Sequence, residues 1–301
     1  MERSNPCEKV LSVNNVENLG LKWSYATGGF VFSSPAVANG MVYVGSRDRY
    51  VHALNASTGA KLWSYVTKGA VRSSPAFANG VVYVDSEDGN VYALNASTGA
   101  KLWSYATGGE LSSPAVANGV VYVGSEDNNV YALDANTGAL LWSYATGGVF
   151  SSPAVANGVL YVNSVGQPNV YALSASTGAL LWSYYASGSI LSSPAVANGV
   201  VYVGGSHQNG RYGRVYALDA STGAKLWSYG TNRAILSSPA VANGVVYIGS
   251  DNDSVYALNA KTGHKLWSYT TGGFVGSSPA VAGGAVYVGS HDGKVYAFGL
   301  K

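Results

Sequence analysis

Short apolar runs of the form Val-Val-Tyr-Val and Val-Tyr-Ala-Leu, separated by turns rich in Gly, Asn and Ser, recur along almost the whole chain. The stretch from Ser73 to Thr107 shows the unit. Ser73-Ser74-Pro75-Ala76-Phe77-Ala78 leads to Asn79-Gly80, a hairpin signal because both turn residues tolerate positive φ. Val81-Val82-Tyr83-Val84 follows, rich in the β-branched and aromatic residues that favour strands. Glu87-Asp88-Gly89-Asn90 turns the chain into Val91-Tyr92-Ala93-Leu94, and Asn95-Ala96-Ser97-Thr98-Gly99 turns it again into Lys101-Leu102-Trp103-Ser104-Tyr105. The pattern predicts four antiparallel strands per unit, and no segment has helical periodicity or a helix cap.

The unit repeats. Trp-Ser-Tyr stands at Trp23, Trp63, Trp103, Trp142, Trp182, Trp227 and Trp267, in steps of 40, 40, 39, 40, 45 and 40 residues. A period near forty built from short strands is the mark of a β-propeller, whose units bury their apolar faces only against neighbours. The prolines Pro35, Pro75, Pro114, Pro153, Pro194, Pro239 and Pro279 all open the first strand, which suits an innermost edge where a missing N–H donor costs little. The chain begins with an orphan fourth strand, Leu21–Tyr25, and ends in a three-strand unit, Ser277 to Lys301. The expected architecture is all-β: a seven-bladed propeller of four-stranded antiparallel blades, closed by the N-terminal strand against Val295–Phe298. Residues 1–18 read as an extension and residues 19–301 as one domain.

Ala93-x-Asn95-x-x-Thr98-Gly99-x-x-x-Trp103 resembles the tryptophan-docking motif A-x-D-x-x-T-G-x-x-x-W of pyrroloquinoline-quinone (PQQ) enzymes and PQQ-like repeat proteins. It recurs from Ala53 to Trp63, Ala132 to Trp142, Ala172 to Trp182, Ala217 to Trp227 and Ala257 to Trp267. Asp134 and Asp219 keep the acid, Asn55, Asn95 and Asn259 replace it, and Ser174 departs furthest. The resemblance implies that Trp23, Trp63, Trp103, Trp142, Trp182, Trp227 and Trp267 wedge between blades as structural residues. Large indoles that need a partner for their N–H suit that role.

Alternating strand direction puts the Asn-Gly and Thr-Gly turns on one face, nearly identical from repeat to repeat, and the variable connections on the other. Loops on a rigid scaffold are where binding concentrates. The candidate binding face comprises Phe30, Phe32, Arg72, Glu87, Phe150, Leu191, Arg211, Tyr212 and Leu236. With Leu111 and Gly276, the first-connection residues would line the channel mouth, either as a shallow apolar socket with a cation at Arg72 or as a plug of side chains. Arg72, Asp85, Glu87 and Asp88 make the second unit the polar exception, and Arg72 and Glu87 are expected to pair across strands. A catalytic role for these acids is the rival reading. The fifth unit carries a longer excursion, Ser206 to Arg214, read either as a partner contact or as a mobile hairpin.

Composition narrows the chemistry. Only 11% of residues are charged and the net charge is +2, so nucleic acid is not an expected partner. The single cysteine, Cys7, rules out an internal disulfide and a cysteine-based zinc cluster. His52, His207, His264 and His291 lack metal-ligand spacing, and Asp251 and Asp253 lack the remainder of a calcium loop. No apolar stretch is long enough to span a bilayer, and the first residues lack the apolar core of a signal peptide. The Ser-, Asn- and Gly-rich, Lys-poor surface leans towards a secreted or cell-surface protein. Many quinoprotein dehydrogenases of the resembling family hold PQQ near a vicinal disulfide and a calcium ion, and neither maps onto this sequence. The resemblance therefore implies the fold without the oxidoreductase activity, with no cofactor or metal, and the chain reads as a monomer. The expected function is a non-catalytic scaffold that binds a protein or small ligand through its variable face, by analogy with the propeller lipoprotein of bacterial outer-membrane assembly. The alternatives are a quinone- or sugar-acting enzyme with its site in the central funnel, and a recently amplified or designed repeat with no evolved ligand.

Overall fold

The structure, a computed structural model, describes residues 23–109, 112–149, 151–164, 170–207, 210–282, 285–292 and 295–299. Among them there are only strands and turns, without a helix. The first group is β1 (Ala36–Ala38), β2 (Met41–Gly45), β3 (Tyr50–Asn55) and β4 (Lys61–Val66). The second is β5 (Ala76–Ala78), β6 (Val81–Ser86), β7 (Asn90–Asn95) and β8 (Lys101–Ala106), and the third β9 (Ala115–Ala117), β10 (Val120–Gly124), β11 (Asn129–Asp134) and β12 (Leu140–Ala145). The fourth is β13 (Ala154–Ala156), β14 (Val159–Asn163), β15 (Val170–Ser174) and β16 (Leu180–Tyr184). The fifth has an added strand: β17 (Ser189–Ile190), β18 (Ala195–Ala197), β19 (Val200–His207), β20 (Tyr212–Asp219) and β21 (Lys225–Thr231). The sixth is β22 (Ala240–Ala242), β23 (Val245–Ser250), β24 (Ser254–Asn259) and β25 (Lys265–Thr270), and the last β26 (Ala280–Ala282), β27 (Ala285–Gly289) and β28 (Val295–Gly299).

Each group forms its own antiparallel sheet in chain order, as hairpin-linked strands require, except that in the fifth β17 and β18 both pair β19. The chain divides into two compact units, one of residues 20–158 with 173–179 and one of residues 1–19, 159–172 and 180–301. The first unit contains the first three sheets whole, and the second contains the last three. The last sheet has three strands among the described residues. Its expected closure by Leu21–Tyr25 falls partly outside them, since only Trp23 onward is described, and Trp23–Tyr25 carry no strand.

The turns follow their residue types. Asn79 and Gly80 sit at φ 49° and 77°, as a two-residue hairpin loop demands, and the other Asn-Gly pairs repeat this. Asn95 Oδ1 accepts from the N–H groups of Ser97 and Thr98, and Asp134 does the same for Asn136 and Thr137. One acceptor oxygen suffices for the turn, which is why Asn and Asp interchange there. At Ser174 the shorter hydroxyl accepts from only one turn N–H, that of Thr177 at 3.3 Å, and lies 3.2 Å from Ser176 Oγ.

The tryptophans join successive sheets. The Trp63 Nε1–H donates to the Ala96 carbonyl at 2.8 Å, and the same oxygen accepts from Tyr43 Oη at 3.3 Å. Trp103 and Tyr83 share the Ala135 carbonyl, both at 3.0 Å. Trp23, Trp142, Trp182 and Trp227 donate in the same way to Ala56, Ala175, Ala220 and Ala260. A Cβ at Gly99 would lie 2.6 Å from the Trp63 ring, so the glycine is required by the indole as well as by its φ of 73°. Trp267 departs from the set: it is 37% exposed and meets Phe298 edge-on at 4.8 Å.

The Ser-Ser-Pro segments are a second seam. The first serine ties the segment to its own sheet: Ser73 Oγ donates to the Asp85 carbonyl and accepts from the Asp85 N–H. The second serine links sheets. Ser34 N–H donates to Ser74 Oγ, Ser74 N–H to Ser113 Oγ, and Ser193 and Ser238 likewise to Ser238 and Ser278, each at 2.9 Å.

Burial separates the tryptophans into testable groups. Trp103→Ala is expected to lower stability by about 3–5 kcal/mol, as for a large buried aromatic. Trp267→Ala should cost less than about half of that. Denaturant melts of the two variants check the difference, and equal losses would show that Trp267 is as firmly packed as Trp103.

Candidate functional site

Each sheet has two chemically distinct ends. At one, the two invariant turns are joined: Ala56 N–H donates to the Gly40 carbonyl, and Ala96 to Gly80, Ala135 to Gly119 and Ala220 to Gly199 likewise. At the other, the incoming connection meets the turn between the second and third strands. Arg47 N–H donates to the Phe30 carbonyl, Glu87 to Ala70, Asp251 to Ala234 and His291 to Phe274. The variable residues therefore share one end of their sheets, where a rigid ladder presents them.

The acids of these turns divide by position. The second residue is held inside. Asp88 Oδ2 accepts from Lys68 N–H and Tyr92 Oη, both at 2.8 Å, while Oδ1 accepts from Asn90 N–H. Asp127 accepts from Tyr131, and Asp292 from Gly272 N–H and Tyr296. Burial and the Asp88 hydrogen bond both raise the Tyr92 phenol pKa, so the phenol stays a donor. Three sheets vary this latch; in the sixth, Asn252 replaces the acid and its Nδ2 donates to Tyr256 Oη at 2.6 Å. In the first, His52 replaces the tyrosine and its Nε2 lies 3.0 Å from Asp48 Oδ2. Burial opposes ionisation of Asp48, yet the N–H groups of Tyr50 and Gly28, with His52, hold its carboxyl below the ordinary range. In the fifth, His207 replaces the acid and its Nε2 lies 2.8 Å from Tyr216 Oη. The latch was not legible in the sequence, where these acids read as loop charges available for binding. The spacing of four between the acid and Tyr92 or Tyr131 was the available signal.

Of the candidate binding residues, Phe30, Phe32, Arg72 and Glu87 lie in the first unit. Phe30 and Phe32 are 73% and 64% exposed, with ring centroids 6.3 Å apart. Arg72 Nε lies 2.5 Å from Glu87 Oε1, the expected cross-strand ion pair, so Arg72 is not a free cation. The second unit carries Leu191, Arg211, Tyr212 and Leu236, all exposed. Phe150 and Leu111 lie outside the described residues.

Asp85 is the outlying polar residue. It is 2% exposed, and among the described residues neither carboxylate oxygen has a hydrogen-bond partner. Burial pushes its pKa well above the ordinary carboxylate value. Gly45, Gly124, Gly204 and Gly249 hold the same place in other sheets. There a valine or isoleucine of the following connection packs against the glycine, as Val149 does at 2.2 Å from a Cβ built on Gly124. In sequence, Glu110, outside the described residues, stands where Val71, Val149 and Val275 stand in those connections. Among the described residues no three His, Cys, Asp or Glu side chains come together.

Comparison with solved structures defines the class. BamB from Moraxella catarrhalis is 22% identical with a TM-score of 0.79, covering 92% of this chain and 88% of that one. The computationally designed Ika8 protein is 20% identical with a TM-score of 0.77, covering 89% and 83%. Quinohemoprotein alcohol dehydrogenase ADHIIG from Pseudomonas putida HK5 is 18% identical with a TM-score of 0.68, covering 84% and 61%. At these identities the likeness establishes the fold, an all-β propeller of PQQ-like repeats. A family model described as outer membrane protein assembly factor BamB matches residues 13–146, 145–212 and 211–301, and the chain belongs to that family. No curated protein sequence matches the chain.

Asp85 gives a pH prediction. The folded carboxyl holds its proton more tightly than the unfolded one, whose pKa is about 4. The folded state is thus favoured fully below that value and loses this stability as pH rises through the raised pKa. Asp85→Asn is expected to raise the melting temperature at neutral pH and to flatten its decline from acid to neutral. Parallel melting curves for variant and wild type across that range would show that Asp85 ionises without penalty.

Proposed function

We propose that the chain is a non-catalytic propeller scaffold that binds a protein partner through the end of its sheets carrying the variable connections, with residues 19–301 as its body. The observation that carries this reading is the uneven distribution of difference along one chain. The Asn-Gly and Thr-Gly turns repeat the same hydrogen bonds in sheet after sheet, so they offer one chemistry many times over. The opposite end presents Phe30 and Phe32 to solvent, together with Arg211 and Tyr212. Aromatic and arginine side chains are the usual anchors of protein interfaces. The family's description as an outer-membrane protein assembly factor supports a role in holding other proteins.

An oxidoreductase is the competing reading, favoured by the likeness to a quinohemoprotein alcohol dehydrogenase. A repeat without an evolved ligand is a third, favoured by the likeness to a designed propeller.

Photo-crosslinking side chains placed at Phe32 and Tyr212, and at Thr98 and Thr137 of the opposite end, separate these readings. Crosslinks to the same partner from Phe32 or Tyr212, and none from the threonines, are the expected result. Crosslinks from the threonines alone would move the site to the invariant end. Saturable binding of PQQ with calcium, followed by tryptophan fluorescence, would favour the enzyme.

A further inference from the structure

The fifth sheet breaks the repeat in three connected ways. Its central hairpin is long: β19 and β20 stay paired from Val200↔Asp219 out to His207↔Tyr212. It is braced on both sides near its tip, by β17 through Ser189↔Ser206 and Ile190↔Gly205, and by β21 through Gly213↔Thr231 and Arg214↔Gly230. Ser206, His207 and Tyr212 to Arg214 of the excursion thus continue the sheet. Side chains on these paired strands are held by the ladder, so binding to them orders little new chain.

Arg214 is left open by its neighbours. Its cross-strand partners are Gly205 and Gly230, so neither flank has a side chain to cover the guanidinium. Its described hydrogen bond is to a neutral group, from Nη1 to Ser228 Oγ at 3.4 Å. Strand alternation puts Tyr212, Arg214 and Tyr216 on one face. His207, opposite Tyr212, is fixed by Tyr216 Oη on Nε2 and by Ser187 Oγ at 3.2 Å from Nδ1. Burial and the Arg214 charge both lower the His207 pKa.

The latch explains why this arginine lacks a counter-charge. In the first, second, third and last sheets the corresponding place is an aspartate, Asp48, Asp88, Asp127 or Asp292, bonded to the residue that answers to Tyr216. His207 makes that bond without a negative charge. The described ion pairs are His52 with Asp48 and Arg72 with Glu87; neither includes Arg211 or Arg214. Arg233, on the neighbouring connection, acts instead on the Asp251 carboxyl. Exposed Arg214, exposed Tyr212 and the hydroxyls of Ser187 and Ser228 thus lie on this part of the hairpin, with exposed Arg211 in the turn that enters β20.

From this we infer that the raised hairpin of the fifth sheet is a docking site for an acidic segment of a partner protein, a conclusion that rests on the scaffold reading above. Each guanidinium can donate a fork of two hydrogen bonds to a carboxylate. A single exposed pair of that kind contributes only about 0–1 kcal/mol. Useful affinity at this site therefore requires a ligand that engages both arginines while packing on Tyr212, which a chain of carboxylates does and an isolated anion does not.

Fluorescence anisotropy with a fluorescein-labelled hexaglutamate peptide tests this at low salt. Wild type is expected to bind saturably, and the Arg211→Gln/Arg214→Gln variant at least about tenfold more weakly. His207→Glu, which restores a carboxylate beside Arg214, should weaken binding comparably while leaving the melting temperature close to wild type. Lys101→Gln, on an outer strand, should bind as wild type does. Absence of saturable binding, or equal binding by the double arginine variant, overturns the inference. Displacement of the peptide by equimolar inorganic phosphate would overturn it too, by showing a small-anion site. Peptide binding lost instead in Phe32→Ser/Arg72→Gln would overturn this placement and leave the scaffold reading standing. That reading fails separately, in the crosslinking experiment, if contacts arise only from the threonine end.

Discussion

The fold depends on an indole lying over a glycine. Each docked tryptophan closes against the turn of the following sheet, where the glycine has no Cβ to obstruct it and the turn alanine carbonyl accepts the indole N–H. The contact combines burial of a large aromatic surface with satisfaction of a donor that would otherwise be stranded. A tyrosine of the preceding sheet uses the second lone pair of the same carbonyl, so one oxygen binds two side chains from one neighbour. Glycine at positive φ, Asn or Asp capping the turn, and the tryptophan spacing are three sequence conditions for one interaction. This is why they recur together.

Much of this was legible in the chain. Asn-Gly gave the hairpins and the strand runs gave four-stranded sheets. The tryptophan motif pointed to the propeller class that the structural likeness establishes. The Arg72–Glu87 pair followed from counting outward along a hairpin whose register is fixed by its turn. What could not be read was which polar residues are turned inward. Asp88 and Glu87 are adjacent and chemically alike, yet one is bonded to a tyrosine and a backbone amide while the other meets an arginine at the surface. Strand alternation does not extend into a turn, so side-chain direction there depends on local φ and ψ values that the residue types leave open. The Ser-Ser-Pro seam was hidden for a related reason. Small residues at a crowded place read as a matter of volume, whereas the second serine is a specific acceptor for the N–H of the neighbouring sheet.

Departures from the repeat carry more information than the repeat itself. Asp85 replaces a glycine against which a valine packs elsewhere, and the exchange puts a carboxyl where it has no hydrogen-bond partner among the described residues. Such a group is a stability cost that a structural requirement alone does not explain. His52 and His207 alter opposite halves of one latch. At His52 the aspartate remains and the phenol is replaced by a group that can carry charge; at His207 the phenol remains and the acid is lost. The first change keeps a carboxylate paired inside the protein. The second removes one from the neighbourhood of Arg214.

A scaffold of near-identical units faces a specific physical problem in recognition. Seven similar sheets present similar surfaces, so a partner that read only the repeat could bind in several registers with equal affinity. Specificity requires a difference in free energy between one register and the rest. The invariant turns cannot supply it, because their side chains are already committed to the turn and to the indole. It must come from places where the repeat is broken without loss of the ladder beneath. The fifth sheet meets that condition in a way the exposed Phe30 and Phe32 do not by themselves. Its extra residues lengthen two paired strands, its glycines uncover an arginine, and its histidine preserves the latch while removing the acid. Rigidity and asymmetry are thus produced by the same local substitutions.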